Sequence, residues 1–275
     1  MKDTKILFTD LDGTLLTDEK NISPYTYHIL EKWCVFKNNH LVLCSGRALN
    51  SIQHVFRQLK LEFPNIYLIG CNGGEIYDCE KKQLLLRRTL TYNTIKHIFS
   101  IADKHNIHIQ TYSETHIITP KDGPELAFYK QVIHTPYIIC SDPMEHLVKE
   151  PCKCLAIELK DLERLEKFRK NILEELGDQV SVIYSNPNYI ELFPINSGKG
   201  SSILWLCNHL NIPVKNSIAA GDEMNDISMI QTAGLGVAMK NGRKEVHEIA
   251  NAITSYDNNE DGLAKFLEHR YSLID

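Results

Sequence analysis

The 275-residue chain predicts an α/β fold: a doubly wound parallel-sheet (Rossmann-like) core interrupted by an inserted α+β domain. Three observations predict it. Short apolar runs at residues 6–8, 41–44, 66–71, 217–220 and 235–239 alternate with stretches of helical period, as in parallel strands buried on both faces. Most of these runs end in small or polar residues (Asp10, Ser45-Gly46, Asn72-Gly73-Gly74, Gly221-Asp222), where open α/β sheets place their ligands. From about Thr89 the texture changes to alternating strands. The expected division is therefore a core of residues 1–88 and 189–275 with an insertion at 89–188.

In chain order, Ser23-Pro24 opens the first helix, with Ser as N-cap, Pro at the first helical position and Ile29, Leu30 and Trp33 on its apolar face. The strand at 41–44 runs into Ser45-Gly46-Arg47, and the helix beginning near Leu49 carries Ile52, Val55, Phe56 and Leu59. The strand at 66–71 is followed by a hairpin at 75–86. In the insertion, 92–105 is an amphipathic helix, followed by strands at 107–112 and 116–119. Lys121-Asp122-Gly123-Pro124 is read as a turn into an irregular stretch. A strand at 154–159, a charged helix at 161–176 and a strand at 180–184 follow, their alternation predicting one open sheet face. Ser185-Asn186-Pro187-Asn188 closes the insertion, and the core pattern is expected to return at Tyr189. A helix then follows Lys199.

Composition limits the function classes. Hydrophobic residues make up 43% and the net charge is −5 with acids and bases interspersed, so a nucleic-acid groove is not expected. No apolar run reaches spanning length and no export signal is evident, which predicts a soluble, cytoplasmic protein without membrane partners. The eight Cys lack a C-x-x-C pair and are expected as free, mostly buried thiols.

The chemistry starts at Asp10-Leu11-Asp12-Gly13-Thr14. Two acids one residue apart at a strand end repel and lose hydration unless a cation, alone or brought in by a phosphate-bearing ligand, sits between them. Ser45 followed by Gly46 offers a hydroxyl and approachable N–H groups to phosphate oxygens. Lys199, between Gly198 and Gly200 at a helix start, is unfavourable for the helix dipole unless an anion is shared there. Gly221-Asp222-Glu223-Met224-Asn225-Asp226 repeats the pattern of strand end plus acids.

These four segments, in this order, resemble the motifs of the haloacid dehalogenase-like (HAD) phosphohydrolases, and the long insertion between the second and third resembles the Cof-type branch (subclass IIB). Asn72-Gly73-Gly74 also fits that branch. The resemblance implies a Mg²⁺-dependent phosphatase of small phosphomonoesters (sugar phosphates, nucleotides or phosphorylated cofactors) with an inserted cap of type C2B. It implies Asp10 as nucleophile forming an aspartyl-phosphate, and Asp12 as general acid and base. Ser45, Gly46, Lys199 and Asn225 would bind phosphate; Asp10, Asp12 (through its carbonyl), Asp222 and Asp226, the last directly or through water, would hold the metal. A monomer or weak homodimer is expected. A phosphomannomutase-like transferase and a non-enzymatic phospho-metabolite sensor are the alternatives.

Three lookalikes are set aside. A Walker A loop needs glycine where Phe193 stands, and a dinucleotide fingerprint from Gly234 fails at Met239. Residues 257–268 fit the EF-hand expression, but no helix runs into them, so a calcium loop is not expected.

Overall fold

The computed structural model describes residues 4–131 and 135–273; Met1 to Asp3, part of the start that was read for an export signal, lie outside it. Close contacts divide the chain into two units, one running to Leu86 and resuming at Gly198, the other spanning Arg87–Ser197.

The first unit begins with β1 (Ile6–Asp10), α1 (Pro24–Glu31), β2 (His40–Cys44), α2 (Leu49–Gln58), β3 (Ile66–Gly70), β4 (Glu75–Asp78) and β5 (Gln83–Arg87). The inserted unit holds α3 (Tyr92–Lys104), β6 (His108–Tyr112), β7 (Ile117–Thr119), α4 (Pro124–Lys130), β8 (Tyr137–Ile139), β9 (Cys154–Ile157), α5 (Leu162–Leu176), β10 (Val180–Asn186) and β11 (Tyr189–Pro194). The first unit then resumes with α6 (Lys199–His209), β12 (Ser217–Gly221), α7 (Ile227–Thr232), β13 (Leu235–Ala238), α8 (Lys244–Ile249), β14 (Ala252–Ile253) and α9 (Gly262–Tyr271).

Among the described residues the first unit forms an eight-stranded sheet in the order β14-β13-β12-β1-β2-β3-β4-β5. It is parallel from β14 to β3, and β4 turns back antiparallel on β3. Successive side chains on a strand point to opposite faces, and here both faces are apolar. Leu7, Leu41, Leu43, Leu68, Ile218, Ala220 and Val237 pack on one side with residues of α1, α2 and α9. Ile6, Phe8, Val42, Cys44, Ile69, Ala219 and Ala238 pack on the other with residues of α6, α7 and α8. This is the doubly wound α/β core that the apolar runs predicted. The chain winds from β1 outward through β2 and β3, then restarts on the other side at β12, so the order reverses between β1 and β12. Ligands of open α/β sheets bind at that reversal, beyond the carboxyl ends of the strands.

Among the described residues the inserted unit builds a six-stranded sheet, β10-β11-β9-β6-β7-β8. Two expectations are corrected here. The core does not resume at Tyr189: Ser185 to Asn188 makes a hairpin turn, and β11 pairs antiparallel with both β10 and β9. Nor is one sheet face open. One face packs on α3 and α5 through Ile95, Ile98, Phe168 and Ile172; the other is covered by Leu126 and Tyr129 of α4, against Ile117, Leu155 and Ile157. That helix was read as irregular chain, although Gly123-Pro124 places Pro at its first position. All eight cysteines are free, six of them buried.

The EF-hand-like stretch is a helix-capping turn. Asp257 accepts from the backbone N–H of Asn259 and Glu260, Glu268 accepts from the Tyr25 hydroxyl at 2.6 Å, and Asp261 accepts from the hydroxyls of Ser23 (2.5 Å) and Thr26 (2.8 Å). The would-be calcium ligands thus tie α9 to α1. Asp261→Ala, which leaves the half-buried Ser23 and buried Thr26 hydroxyls without this acceptor, should cost about 1–3 kcal/mol of stability. Denaturant melts with and without Ca²⁺ check this; a loss seen only in the presence of Ca²⁺ would contradict the capping account.

Candidate active site

Parallel register brings the strand ends to one level. Thr9 pairs with Ala220, Asp10 with Cys44, and Cys44 with Ile69. The residues that follow, Asp12, Ser45, Asn72 and Asp222, therefore leave the sheet side by side.

Asp10, Asp222 and Asp226 come together there, one carboxylate oxygen from each lying within 4.8 Å of the others. Lys199, 1% exposed at the first position of α6, sits between two of them, its Nζ 2.6 Å from Asp10 Oδ1 and 2.5 Å from Asp226 Oδ1. Asp222 Oδ1 accepts from the Thr14 hydroxyl at 2.8 Å. Asp226 Oδ2 accepts from the backbone N–H of Asp222 and Glu223, each at 3.0 Å. Both oxygens of Asp226 are thus engaged by protein donors, which leaves Asp10 and Asp222 as the acids better placed to meet a cation directly. Gly13 makes this packing possible: its φ of +85° is a left-handed turn, and a Cβ there would lie 2.4 Å from Asp222 Oδ2.

The carboxylate of Asp12 goes elsewhere. Arg47 holds it with two parallel bonds, Nε to Oδ2 at 2.9 Å and Nη2 to Oδ1 at 2.8 Å, and Lys20 Nζ approaches Oδ1 at 2.8 Å. The metal contact expected of Asp12 is through its main-chain carbonyl, which does not depend on where the side chain turns. Ser45 is buried directly after β2, its hydroxyl accepting from the Arg47 N–H at 3.2 Å, with Gly46 between them. Asn225 donates through Nδ2 to Asn72 Oδ1 at 3.2 Å. Sequence reasoning missed the Arg47–Asp12 fork, the Thr14 contact and the Asn72–Asn225 bond. In the sequence Arg47 is only the residue after Ser45-Gly46, and a polar residue following a strand end is the local signal available for these groups.

Burial and mutual repulsion set the electrostatics. Burial, with the neighbouring charges of Asp226 and Asp222, lifts Asp10 well above the ordinary carboxylate range although Lys199 pulls it back. Burial and the Asp226 charge push Asp222 up to about 7. Burial opposes the charge on Lys199, but Asp10 and Asp226 outweigh it, so its pKa is raised and the ammonium is retained. Three carboxylates against one ammonium leave an excess of negative charge, and hard oxygen donors are the ligands that suit a divalent cation such as Mg²⁺. The residues present fit such an ion.

The haloacid dehalogenase-like hydrolase family model matches residues 7–267, and the chain belongs to that family. It is similar to 5-amino-6-(5-phospho-D-ribitylamino)uracil phosphatase YcsE of Bacillus subtilis, with 30% identity covering 97% of this chain and 96% of that one. Phosphatase YwpJ of the same organism is 26% identical, covering 96% and 99%. A haloacid dehalogenase-like hydrolase structure from Bacteroides thetaiotaomicron is 29% identical, covers 98% of this chain and 100% of that one, and has a TM-score of 0.85. The chain is an enzyme of the phosphatase class, a phosphoric monoester hydrolase, and phosphatases of this family generally use a divalent metal.

Without metal, Asp222 keeps its proton in the fold up to about pH 7 but would release it near 3.8 when unfolded. The native state binds more protons across that window, so stability should fall as pH rises through it. Asp222→Asn should flatten the fall by a few degrees in melting temperature, roughly 2–4 °C per kcal/mol for a chain of this size class. A divalent cation, which needs the ionised carboxylate, should stabilise the wild type more at about pH 8 than at about pH 6. Melts in chelator and in added metal read both; parallel profiles for wild type and variant would contradict the assignment.

Proposed function

We propose that this chain is a Mg²⁺-dependent phosphohydrolase that cleaves small phosphomonoesters through an aspartyl-phosphate on Asp10. The observation that carries the reading is the buried Asp10 carboxylate, held 2.6 Å from Lys199 in the acid cluster where the strand order reverses, with Asp12 two residues on and outside that cluster.

Asp10, Asp222 and the main-chain carbonyl of Asp12 would hold Mg²⁺, with Asp226 bracing the site through Lys199 and the backbone. The ion would neutralise the repulsion between the carboxylate and the phosphate dianion. Lys199 Nζ restrains one oxygen of Asp10 and leaves the other to attack phosphorus. As the ester bond breaks, Asp12 protonates the leaving alcohol; it then takes a proton from the water that attacks the aspartyl-phosphate, so Asp10 is regenerated and inorganic phosphate leaves. Ser45, Gly46, Lys199 and Asn225 would stabilise charge on the equatorial oxygens. The inserted unit, Arg87–Ser197, would act as the cap (type C2B) that selects the substrate. The expected setting is the cytoplasm, with a phosphorylated metabolite as partner. Sugar phosphates, nucleotides and phosphorylated cofactors form the substrate class. The compound named for YcsE belongs on the assay panel, because a second relative 28% identical to this chain carries the same name.

Phosphate release from such a panel should require Mg²⁺ and vanish in Asp10→Asn; release that survives the substitution would sink the proposal. Asp12→Asn should lower turnover by roughly 10²–10⁴-fold, the usual contribution of general acid–base catalysis, while Mg²⁺ still raises its melting temperature. Loss of that thermal shift would instead place the Asp12 carboxylate on the metal.

A further inference from the structure

The residues after β3 carry a strained conformation that the proposed mechanism leaves unused. Cys71 has φ 51° and Asn72 φ 52°, followed by Gly73 at φ 102°. Asn alone tolerates the left-handed region fairly well, but consecutive non-glycine residues there persist only when their surroundings over-determine them. Here they do. The Cys71 N–H donates to Arg47 O at 2.8 Å and the Asn72 N–H to Ser45 O at 3.1 Å, so two consecutive amides grip the turn that carries Ser45. The Asn72 side chain, 1% exposed, accepts from Asn225 Nδ2 at 3.2 Å beyond β12. Gly73 packs on the start of α6 so closely that a Cβ would lie 2.4 Å from Gly198 O and 2.5 Å from Ser202 Oγ. Lys199 is the next residue after Gly198.

One turn therefore touches all three segments assigned to phosphate binding. We infer that the turn at residues 71–74 is part of the phosphoryl-binding apparatus, with Asn72 as a positioning residue that orients Asn225 relative to Ser45. This rests on the phosphatase reading and deepens it. An amide has two N–H donors. Committing one Asn225 N–H to Asn72 aims the other at a phosphoryl oxygen, while the backbone of Asn72 holds Ser45 at the same height. Asn72 itself need not touch substrate. The left-handed backbone explains why Asn is suitable there: its short amide is among the few non-glycine side chains that tolerate this conformation while presenting an acceptor.

Asn72→Gly separates side chain from backbone, since glycine adopts the left-handed conformation freely and removes the side-chain amide that accepts from Asn225. In the Mg²⁺-loaded enzyme it should lower kcat/KM at least tenfold and weaken inorganic-phosphate binding, measured by calorimetry, by a similar factor, with a melting temperature close to wild type. In an Asn225→Ala background the same substitution should have almost no further effect. Full activity in Asn72→Gly, or losses that multiply in the double variant, would overturn the inference. If Asn72→Gly does not fold, Asn72→Ala, which also removes the acceptor, takes its place in the cycle; it should couple to Asn225→Ala at least fivefold in phosphate affinity, and an absence of coupling would likewise overturn the inference. If wild type hydrolyses no panel member, the phosphatase reading fails, while the cycle in phosphate affinity still decides whether Asn72 positions Asn225.

Discussion

A single buried ammonium holds this site together. Lys199 is 1% exposed, and removing its charge from water is costly. Contacts of 2.6 Å to Asp10 and 2.5 Å to Asp226 offset that cost and allow two carboxylates to share a dry space. The arrangement is deliberately incomplete in charge: Asp222 adds a third carboxylate, answered by the Thr14 hydroxyl rather than by a cation. The protein thus supplies enough positive charge to assemble the acids and too little to neutralise them. In the proposed function a divalent cation would complete the balance and draw in a phosphoryl group, which would make metal and substrate each other's counterpart at this point.

The position of that ammonium follows from topology. Lys199 and Asp10 are 189 residues apart, yet α6 packs on the same sheet face as Ile6 and Phe8 of β1. Because β1 and β12 are neighbours in parallel register, Asp10 and Asp222 emerge at the same height without special loops. Glycine at position 13 then lets the chain turn against Asp222 where any Cβ would collide. The inserted unit can be long without disturbing this geometry, since it leaves the core after β5 and returns just before α6.

How much of this could be read from the residues depended on range. Strand-end acids and apolar alternation are local signals, so the parallel core, the Ser23 cap and the four chemical segments were legible. Groupings that exist only after folding were not. Arg47 and Asp12 are 35 residues apart and Asn72 and Asn225 are 153 apart, and nothing local marks either pair. The misplaced boundary at Tyr189 has a physical reason too. An apolar strand with a Pro-Asn turn before it looks the same whether it leaves a domain or folds back as a hairpin, and only its pairing with β9 and β10 decides. The EF-hand expression failed in the opposite sense. Its acids are in place, but helix capping and the hydroxyls of α1 already use them.

The two acids of the opening motif show how one short segment can serve two proposed tasks. Asp10 and Asp12 differ by two positions, yet the first is 7% exposed against a buried lysine while the second faces an arginine fork and an exposed lysine. A nucleophile gains from being fixed: its attacking oxygen must meet phosphorus at a set distance, and a rigid partner inside a packed core provides that. A group that gives and takes protons gains from exchangeable partners, because it must alternate between leaving alcohol and water. Lys20, more than half exposed, is such a partner, and Arg47 leaves the sheet from the turn that also carries Ser45. A phosphoryl group arriving at Ser45 would compete for the same cations that hold Asp12. Substrate binding and release of the proton carrier would then be one event, which ties the acid's availability to the presence of something to protonate.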